Sequence, residues 1–256
     1  MFGKRILLLV PHPDDEVVAC AAAIGRAQQQ GAEIFACYLT HGCIARETLW
    51  PWQRKHHDQY VATRCTEAEH VAALLNITPV GWSSRPARHL WQNLPVIHEE
   101  VKQTIVTHNI DQFWVPAYEG GNADHDGLNA LAQKFTKSVS ILEFAEYNFY
   151  QGRTHSQAFP YPNGTEHILT LTPEECAKKR TALKLYASER SNLNYVDVTR
   201  EAFRPLAQYN YSQPPHPGTL WYARFQWVPF RHPRVDFTNP ADVSHVITRF
   251  LNLPSL

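Results

Sequence analysis

Short continuous apolar runs alternate along this chain with longer stretches in which apolar residues return every three or four positions. The first run, residues 6–10 (ILLLV), has the pattern of a strand buried on both faces. An Ala-rich stretch from about 15 to 30 reads as the first helix, with Gly31 as its stop. Residues 34–39 (IFACYL) predict a second strand, and 53–76 a long helix carrying Tyr60, Val61, Ala68, Val71, Ala72, Leu74 and Leu75. Val80-Gly81-Trp82 reads as a short strand and 83–93 as loop. A helix is expected over 95–108, with Val96, Ile97, Val101 and Ile105 at helical spacing, and a strand over 113–115, ended by Pro116. A polar loop follows at 117–126 (AYEGGNADHD), then a helix to about 137 and a strand over 141–149.

This βαβα rhythm predicts a doubly wound, mostly parallel α/β sheet with helices on both faces. After about 150 the rhythm changes. A strand at 167–171 and a helix at 173–189 are expected, the latter opened by Thr172-Pro173-Glu174-Glu175. Residues 205–235, rich in Pro, Tyr, Trp and Arg, read as ordered loops and irregular strands over the mouth of a site. The 256 residues are expected to form a single domain, a βα core to about 150 followed by an elaboration.

Composition narrows the class. The formal charge is zero, from 24 basic and 24 acidic residues with no basic block, which argues against a nucleic-acid partner. Five cysteines without a CxxC pair fit a reducing compartment. Lys4-Arg5 and the run after them are too short for a signal peptide, and no run approaches membrane-spanning length. The expectation is a cytoplasmic protein without a membrane partner.

The densest chemistry follows the first strand, in Pro11-His12-Pro13-Asp14-Asp15-Glu16. The three acids could cap and charge the first turn of a helix, with His12 a plain loop histidine. Their crowding at the end of a buried strand points instead to a site, because ligands of open α/β sheets bind at the carboxyl ends of strands. A second polar loop, with Asp124-His125-Asp126, ends another parallel strand. If the two strands are neighbours, two imidazoles and a carboxylate converge, a set that suits a catalytic zinc with an open position for water. A further carboxylate can then take the water's proton.

The segment from Pro11 to Glu16 resembles the signature of the PIG-L (LmbE-like) zinc-dependent N-deacetylases. Thr40-His41-Gly42 resembles that family's turn after strand two, and Arg64-Cys65-Thr66-Glu67 its RxxE helix. Trp114-Val115-Pro116 followed by Asp124-His125 resembles its second metal segment, and Lys184, Tyr186 and Ser188 a late Tyr-x-Ser-Gln helix. The likeness spans about 6–190. It implies one zinc per chain held by His12, Asp15 and His125, with Asp14 as general base and Arg64 reaching the substrate. It also implies hydrolysis of an N-acetylglucosamine-type sugar or conjugate to acetate and a free amine.

The chain departs from the family pattern at two points. Asn122 stands where many members have a histidine that assists the tetrahedral intermediate, and Glu189 follows Ser188 in place of Gln. An amide still donates a hydrogen bond to an oxyanion, so Asn122 is kept as a catalytic candidate; otherwise it is a turn residue after Gly120-Gly121. Arg64 could equally pair with Glu67. Asp124 is expected to bond a ligand histidine or to cap the next helix. His41, at a predicted strand end, could line the pocket but is read as a surface-loop residue, and His56 and His57 as solvated. Tyr211 and residues 214–218, with His216 as a substrate-binding candidate, could form a lid; the alternative is a Pro-rich turn. Trp82, Trp91 and Trp221 suit either a sugar face or the core. Two rival functions remain: a non-haem Fe(II) oxygenase using His12, Asp14 and His125, or a sugar-binding relative without activity. A homo-oligomer is compatible with the sequence.

Overall fold

The computed structural model of the chain describes residues 1–254. Its strands are β1 (Arg5–Val10), β2 (Glu33–Tyr38), β3 (Thr78–Trp82), β4 (Gln112–Pro116), β5 (Ser140–Phe144), β6 (Tyr147–Asn148), β7 (His155–Ser156), β8 (His167–Thr170) and β9 (Arg200–Pro205). Its α-helices are α1 (Asp15–Gln29), α2 (Pro51–Arg54), α3 (His57–Leu75), α4 (Leu94–His108), α5 (Ala123–Ala132), α6 (Pro173–Leu185) and α7 (Pro240–Leu251). The main sheet has the order β3-β2-β1-β4-β5-β9-β8. The first five strands are parallel, and β9 and β8 are added antiparallel.

The two-residue period of β1 divides the core into two layers. Leu7 and Leu9 face one side with Phe35, Cys37, Phe113 and Val115, under α4, α5 and α7. Ile6, Leu8 and Val10 face the other with Ile34, Ala36, Tyr38 and Trp114, under α1, α3 and α6. β1 is buried on both faces as its unbroken apolar run requires. The chain steps from β1 outward to β2 and β3, then returns to β4 on the opposite side of β1. That reversal is a switch point, and the loops after β1 and β4 leave side by side at one sheet edge.

Several boundaries differ from the sequence expectation, each for a local reason. α5 starts at Ala123, not near 126, because the Asn122 side chain accepts from the Asp124 N–H at 2.9 Å and caps the helix there. β5 stops at Phe144, and the residues after it form a separate short hairpin, β6 with β7. α6 ends at Leu185, followed by a 3-10 turn over Ala187–Glu189. Of the longer elements, two were not expected. β9 (REAFRP) carries Glu201 and Arg204 in buried positions, each neutralised by a partner from another element: Lys179 at 3.0 Å and Glu143 at 2.6 Å. α7, capped by Asn239, buries Val243, Ile247 and Phe250 against the α4–α5 side. Among the described residues, no helix is long and apolar enough to cross a membrane.

Candidate metal centre and active-site cleft

The loop after β1 is folded back on itself by its own acids. Asp15, the first residue of α1, accepts the His12 N–H on Oδ2 at 2.8 Å, and Glu16 accepts the Asp14 N–H at 3.0 Å. Glu16 in turn takes a short hydrogen bond from the Tyr186 hydroxyl, which ties the loop to the end of α6. The result places Asp14 at φ 137°, a left-handed backbone conformation that a side-chain-bearing residue adopts only when its surroundings hold it there.

His125, on the first turn of α5, reaches this loop from β4's side of the switch point. Its Nε2 lies 3.2 Å from His12 Nδ1 and 3.3 Å from Asp15 Oδ2, and the last two atoms are 3.3 Å apart. The three donors form a nearly equilateral, buried triangle. Zinc bonded tetrahedrally at ordinary Zn–N and Zn–O lengths separates its ligands by roughly 3.3 Å, so the side chains fit such an ion. The partner atoms also fit. His12 Nε2 stands 3.0 Å from Asp124 Oδ2, and a carboxylate there fixes the proton on Nε2 and leaves Nδ1 as the electron-pair donor. Asp124 is itself held by the N–H groups of Arg88 at 2.7 Å and Leu90 at 2.9 Å. His125 Nδ1 faces the buried Glu146 carboxyl at 3.8 Å.

The electrostatics describe a site built for a cation. Burial disfavours a charged His12, but its bonds to Asp124 and Asp15 outweigh that and push its pKa up to about 10. Burial likewise opposes ionisation of Asp15, yet the imidazoles of His125 and His12 hold it far below the usual carboxylate range. Glu146 is pushed well above that range, by burial first and by Asp15 second, which suits a neutral acid behind His125.

Asp14 is outside the triangle. Its Oδ2 takes a hydrogen bond from Arg64 Nη2 at 3.2 Å, and the same nitrogen donates a short bond to the Pro13 carbonyl. The His12, Asp14, His125 set required for a facial iron triad is therefore not assembled; Asp15 supplies the carboxylate instead. Arg64 is 2 % exposed and lies 4.0 Å from Glu67, so Asp14 is its nearer carboxylate. Gly42, at φ 75°, leaves it room: a Cβ there would sit 2.9 Å from the guanidinium. Glu67 instead accepts from the Ser188 N–H and hydroxyl, at 3.0 and 2.5 Å, and Glu189 lies 3.7 Å from Arg64.

A cleft of about 620 Å³ opens over this centre. His12, Asp14, Asp15, Arg64 and Asn122 line it, so the two sequence segments do meet on one cavity. With its oxygen engaged as the helix cap, Asn122 has its amide N–H₂ left to offer a ligand. His216 is not among the lining residues. Its ring is buried, bonded through Nδ1 to the Pro217 carbonyl at 2.9 Å and packed on Tyr150, so the 214–218 segment is a structural turn and not a lid. Tyr211 is buried too, its hydroxyl on Asn129 at 2.6 Å. His57, expected in solvent, is 9 % exposed, lines the cleft and faces the Ile44 carbonyl at 3.0 Å through Nε2; His56 is exposed. Trp91 belongs to the core and Trp82 stacks on Tyr38, whereas Trp221 lines the cleft with Arg224, Pro233 and Arg234. The irregular C-terminal segment thus does cover the site's mouth.

Sequence reasoning missed Glu146 and Tyr147. The strand expected to run to 149 hid them; ending it at Phe144 puts both at the same sheet edge as His12 and His125.

A family model described as PIG-L: GlcNAc-PI de-N-acetylase matches residues 7–136. No curated protein matches the sequence. Among solved structures, a deacetylase of the teicoplanin biosynthesis pathway is 18% identical with a TM-score of 0.63, covering 79% of this chain and 97% of its own. The N,N'-diacetylchitobiose deacetylase of Pyrococcus horikoshii is 17% identical with a TM-score of 0.57, covering 83% and 84%. A 4-carboxy-2-hydroxymuconate hydratase from Pseudomonas putida is 13% identical with a TM-score of 0.53, covering 81% and 98%. At these identities the likeness establishes the fold, and the presence of a hydratase shows that the fold alone does not dictate the reaction.

Proposed function

Because the chain belongs to the PIG-L family, we propose that it is a zinc-dependent N-deacetylase that cleaves the acetamide of an N-acetylglucosamine-type sugar or conjugate, releasing acetate and a free amine. The observation that carries this reading is the triangle of His12, Asp15 and His125, with the separate carboxylate Asp14 on the same cleft. Three protein donors and an open side are the arrangement of a catalytic site, as opposed to a closed four-ligand structural one.

When bound, zinc would polarise the amide carbonyl and bring a water molecule's pKa towards neutrality. The remaining work falls to this chain's side chains. Asp14 takes the proton from the attacking water. Burial pushes its carboxyl well above the usual range, against the opposing pull of Arg64, which makes it a stronger base than an exposed aspartate. Arg64 keeps that carboxylate in place. Asn122 offers its amide N–H₂ to the oxygen that gains charge. Asp14 then returns its proton to the departing nitrogen, so one carboxyl serves both half-steps.

The test is to reconstitute the protein with one equivalent of zinc and incubate it with a panel of N-acetylated sugars, measuring freed amine and acetate. Amine and acetate in equal amounts, abolished by a chelator and restored by zinc, is the expected result. Absence of acetate from every sugar, together with hydration of an unsaturated dicarboxylic acid, would overturn it.

A further inference from the structure

Two cations on the cleft, Arg224 and the exposed Arg234, have no described side-chain partner, and of the two Arg224 is the one seated on aromatic rings. Arg224 lies with its guanidinium carbon 3.2 Å from the centre of the Trp221 ring and 4.8 Å from that of Phe225. Among the described residues, neither a carboxylate nor a carbonyl accepts from its side chain, and its Nε is buried without a hydrogen-bond partner. The contrast with its neighbours is sharp. Arg64 is spent on Asp14 and the Pro13 carbonyl. Arg88 is spent on the carbonyls of Pro233, Arg234 and Val235 and on Asp236. Burial pulls the Arg224 pKa below the ordinary arginine value, and no carboxylate acts on it to offset that.

Arg224 is nevertheless firmly placed. Trp221 beneath it donates its backbone N–H to the Gly120 carbonyl at 2.9 Å, in the loop that leads into α5. The Trp221 ring packs on Tyr147 at 5.2 Å and on Tyr195 at 5.3 Å, and Tyr147 packs on the ligand histidine His125 at 5.8 Å. All four of these residues other than His125 line the cleft: Tyr147, Tyr195, Trp221 and Arg224. Two ring contacts and one cation–ring contact therefore connect His125 to a guanidinium that is seated over Trp221 and has no described hydrogen-bond acceptor. A flat, pre-oriented fork of donors is what recognises a carboxylate or phosphate through paired hydrogen bonds. A half-buried cation without a counter-charge is costly, and an arriving anion removes that cost.

We propose that Arg224 reads an anionic group, a carboxylate or a phosphate, that the N-acylated substrate carries away from the amide to be cleaved. This rests on the deacetylase reading above and narrows its substrate class to acidic amino-sugar derivatives. The aromatic wall of Tyr147, Tyr195 and Trp221 accepts the sugar ring between the two ends.

The experiment compares N-acetylglucosamine, N-acetylglucosamine 1-phosphate and N-acetylmuramic acid as substrates of the zinc-loaded full chain. At least one acidic sugar is expected to exceed the neutral one in kcat/KM by about tenfold or more, mainly through KM. Which acid wins separates phosphate from carboxylate. In Arg224→Gln the acidic-to-neutral ratio is expected to collapse, and in Arg224→Lys, which keeps the charge but not the fork, to fall part-way. Should the Gln variant melt early, the Lys variant decides. A second readout does not need turnover: N-acetylglucosamine 1-phosphate and N-acetylmuramic acid are titrated against tryptophan fluorescence, with Trp221 under Arg224 as reporter. If none of the sugars releases acetate but an acidic sugar still binds the wild type and not Arg224→Gln, the deacetylase reading fails and the anion site stands. If the neutral sugar is preferred, or the Arg224 variants leave the ratio and the titration unchanged, the anion site is wrong while deacetylation stands.

Discussion

Arg64 Nη2 lies 3.2 Å from Asp14 Oδ2 and donates at the same time to the carbonyl of Pro13, so one guanidinium holds both the Asp14 side chain, on a residue at φ 137°, and the peptide carbonyl just before it. Arg64 comes from α3 and Asp14 from the loop between β1 and α1, and the contact explains how an energetically unfavourable backbone conformation persists at the edge of the His12, Asp15, His125 triangle. The carboxylate it positions is the base of the proposed reaction. Asp14→Asn keeps the size and the hydrogen-bonding oxygen but cannot take a proton. It is expected to lower kcat by about a hundred- to ten-thousand-fold while leaving one equivalent of bound metal. Metal content by atomic absorption and turnover by amine release check the two halves separately; a variant near full activity would remove Asp14 from the mechanism.

Asp124 serves the opposite side of the centre. It faces His12 Nε2 at 3.0 Å and accepts from three N–H groups of the 88–91 segment. Asp124→Ala removes the partner that fixes the His12 proton on Nε2. Metal affinity should fall by about ten- to a hundred-fold, with turnover recovering at raised metal concentration. Competition against a chromophoric chelator measures it. Unchanged affinity would mean that His12 is oriented by something other than Asp124.

The division between what was and was not legible in the sequence follows from where each signal lies. An unbroken run such as 6–10, set against a loop of His and Asp, announces a buried strand and a polar loop at its end together; β1 is that strand, and His12 and Asp15 of its loop enter a buried donor group with His125. Adjacency of the two strands was only a condition in the sequence, and the fold meets it: β1 pairs with β4 at the switch point. β9 was hard to see because only Ala202 and Phe203 of its four buried positions are apolar; the other two, Glu201 and Arg204, break the pattern, and their burial depends on Lys179 and Glu143 far away in sequence. Glu146 was lost to a boundary error of five residues at the end of β5. Arg224 could not be singled out because its significance lies in lacking a partner, which only three-dimensional neighbours can show.

His41 gives the protein a predictable acid sensitivity. In the loop after β2, and buried where a surface position was expected, its Nδ1 accepts from the Cys43 N–H at 3.1 Å, and its ring packs edge-on to His57 at 5.8 Å. Burial first, and the neighbouring His57 second, lower its pKa below the ordinary 6.5. The unfolded chain therefore binds a proton at a higher pH than the native one does. Between the two values the unfolded state holds more protons, so stability falls as pH drops below about 6.5. His41→Asn retains an acceptor for Cys43 but does not titrate. Its urea midpoint should decline less steeply than the wild type's from pH 7 to 5.5. Parallel declines would place the acid sensitivity elsewhere, with His216, whose pKa burial also lowers, as the next group to replace.

The helix that begins at Asp15 is anchored at its middle by a buried charge pair. Lys179 Nζ on α6 lies 3.0 Å from Glu201 Oε1 on β9, and both side chains are fully buried. Glu201 also accepts the N–H groups of Ala22 and Ala23 on α1, at 3.0 and 2.9 Å, while the Val18 carbonyl one turn earlier accepts from the Gln157 side chain at 2.7 Å. The carboxylate thus joins α1, α6 and β9, and its charge is tolerable only with Lys179 in place. Lys179→Met fills similar space but leaves that charge alone, at an expected cost of about 3–5 kcal/mol in unfolding free energy. Adding Glu201→Gln removes the stranded charge and keeps an acceptor for one helix N–H, so the double variant should be more stable than Lys179→Met alone. Denaturant unfolding of the four proteins in this cycle tests the coupling. If the second substitution only deepens the loss, the ion pair is not what holds α1 to the added strands, and the backbone bonds of Glu201 carry that role by themselves.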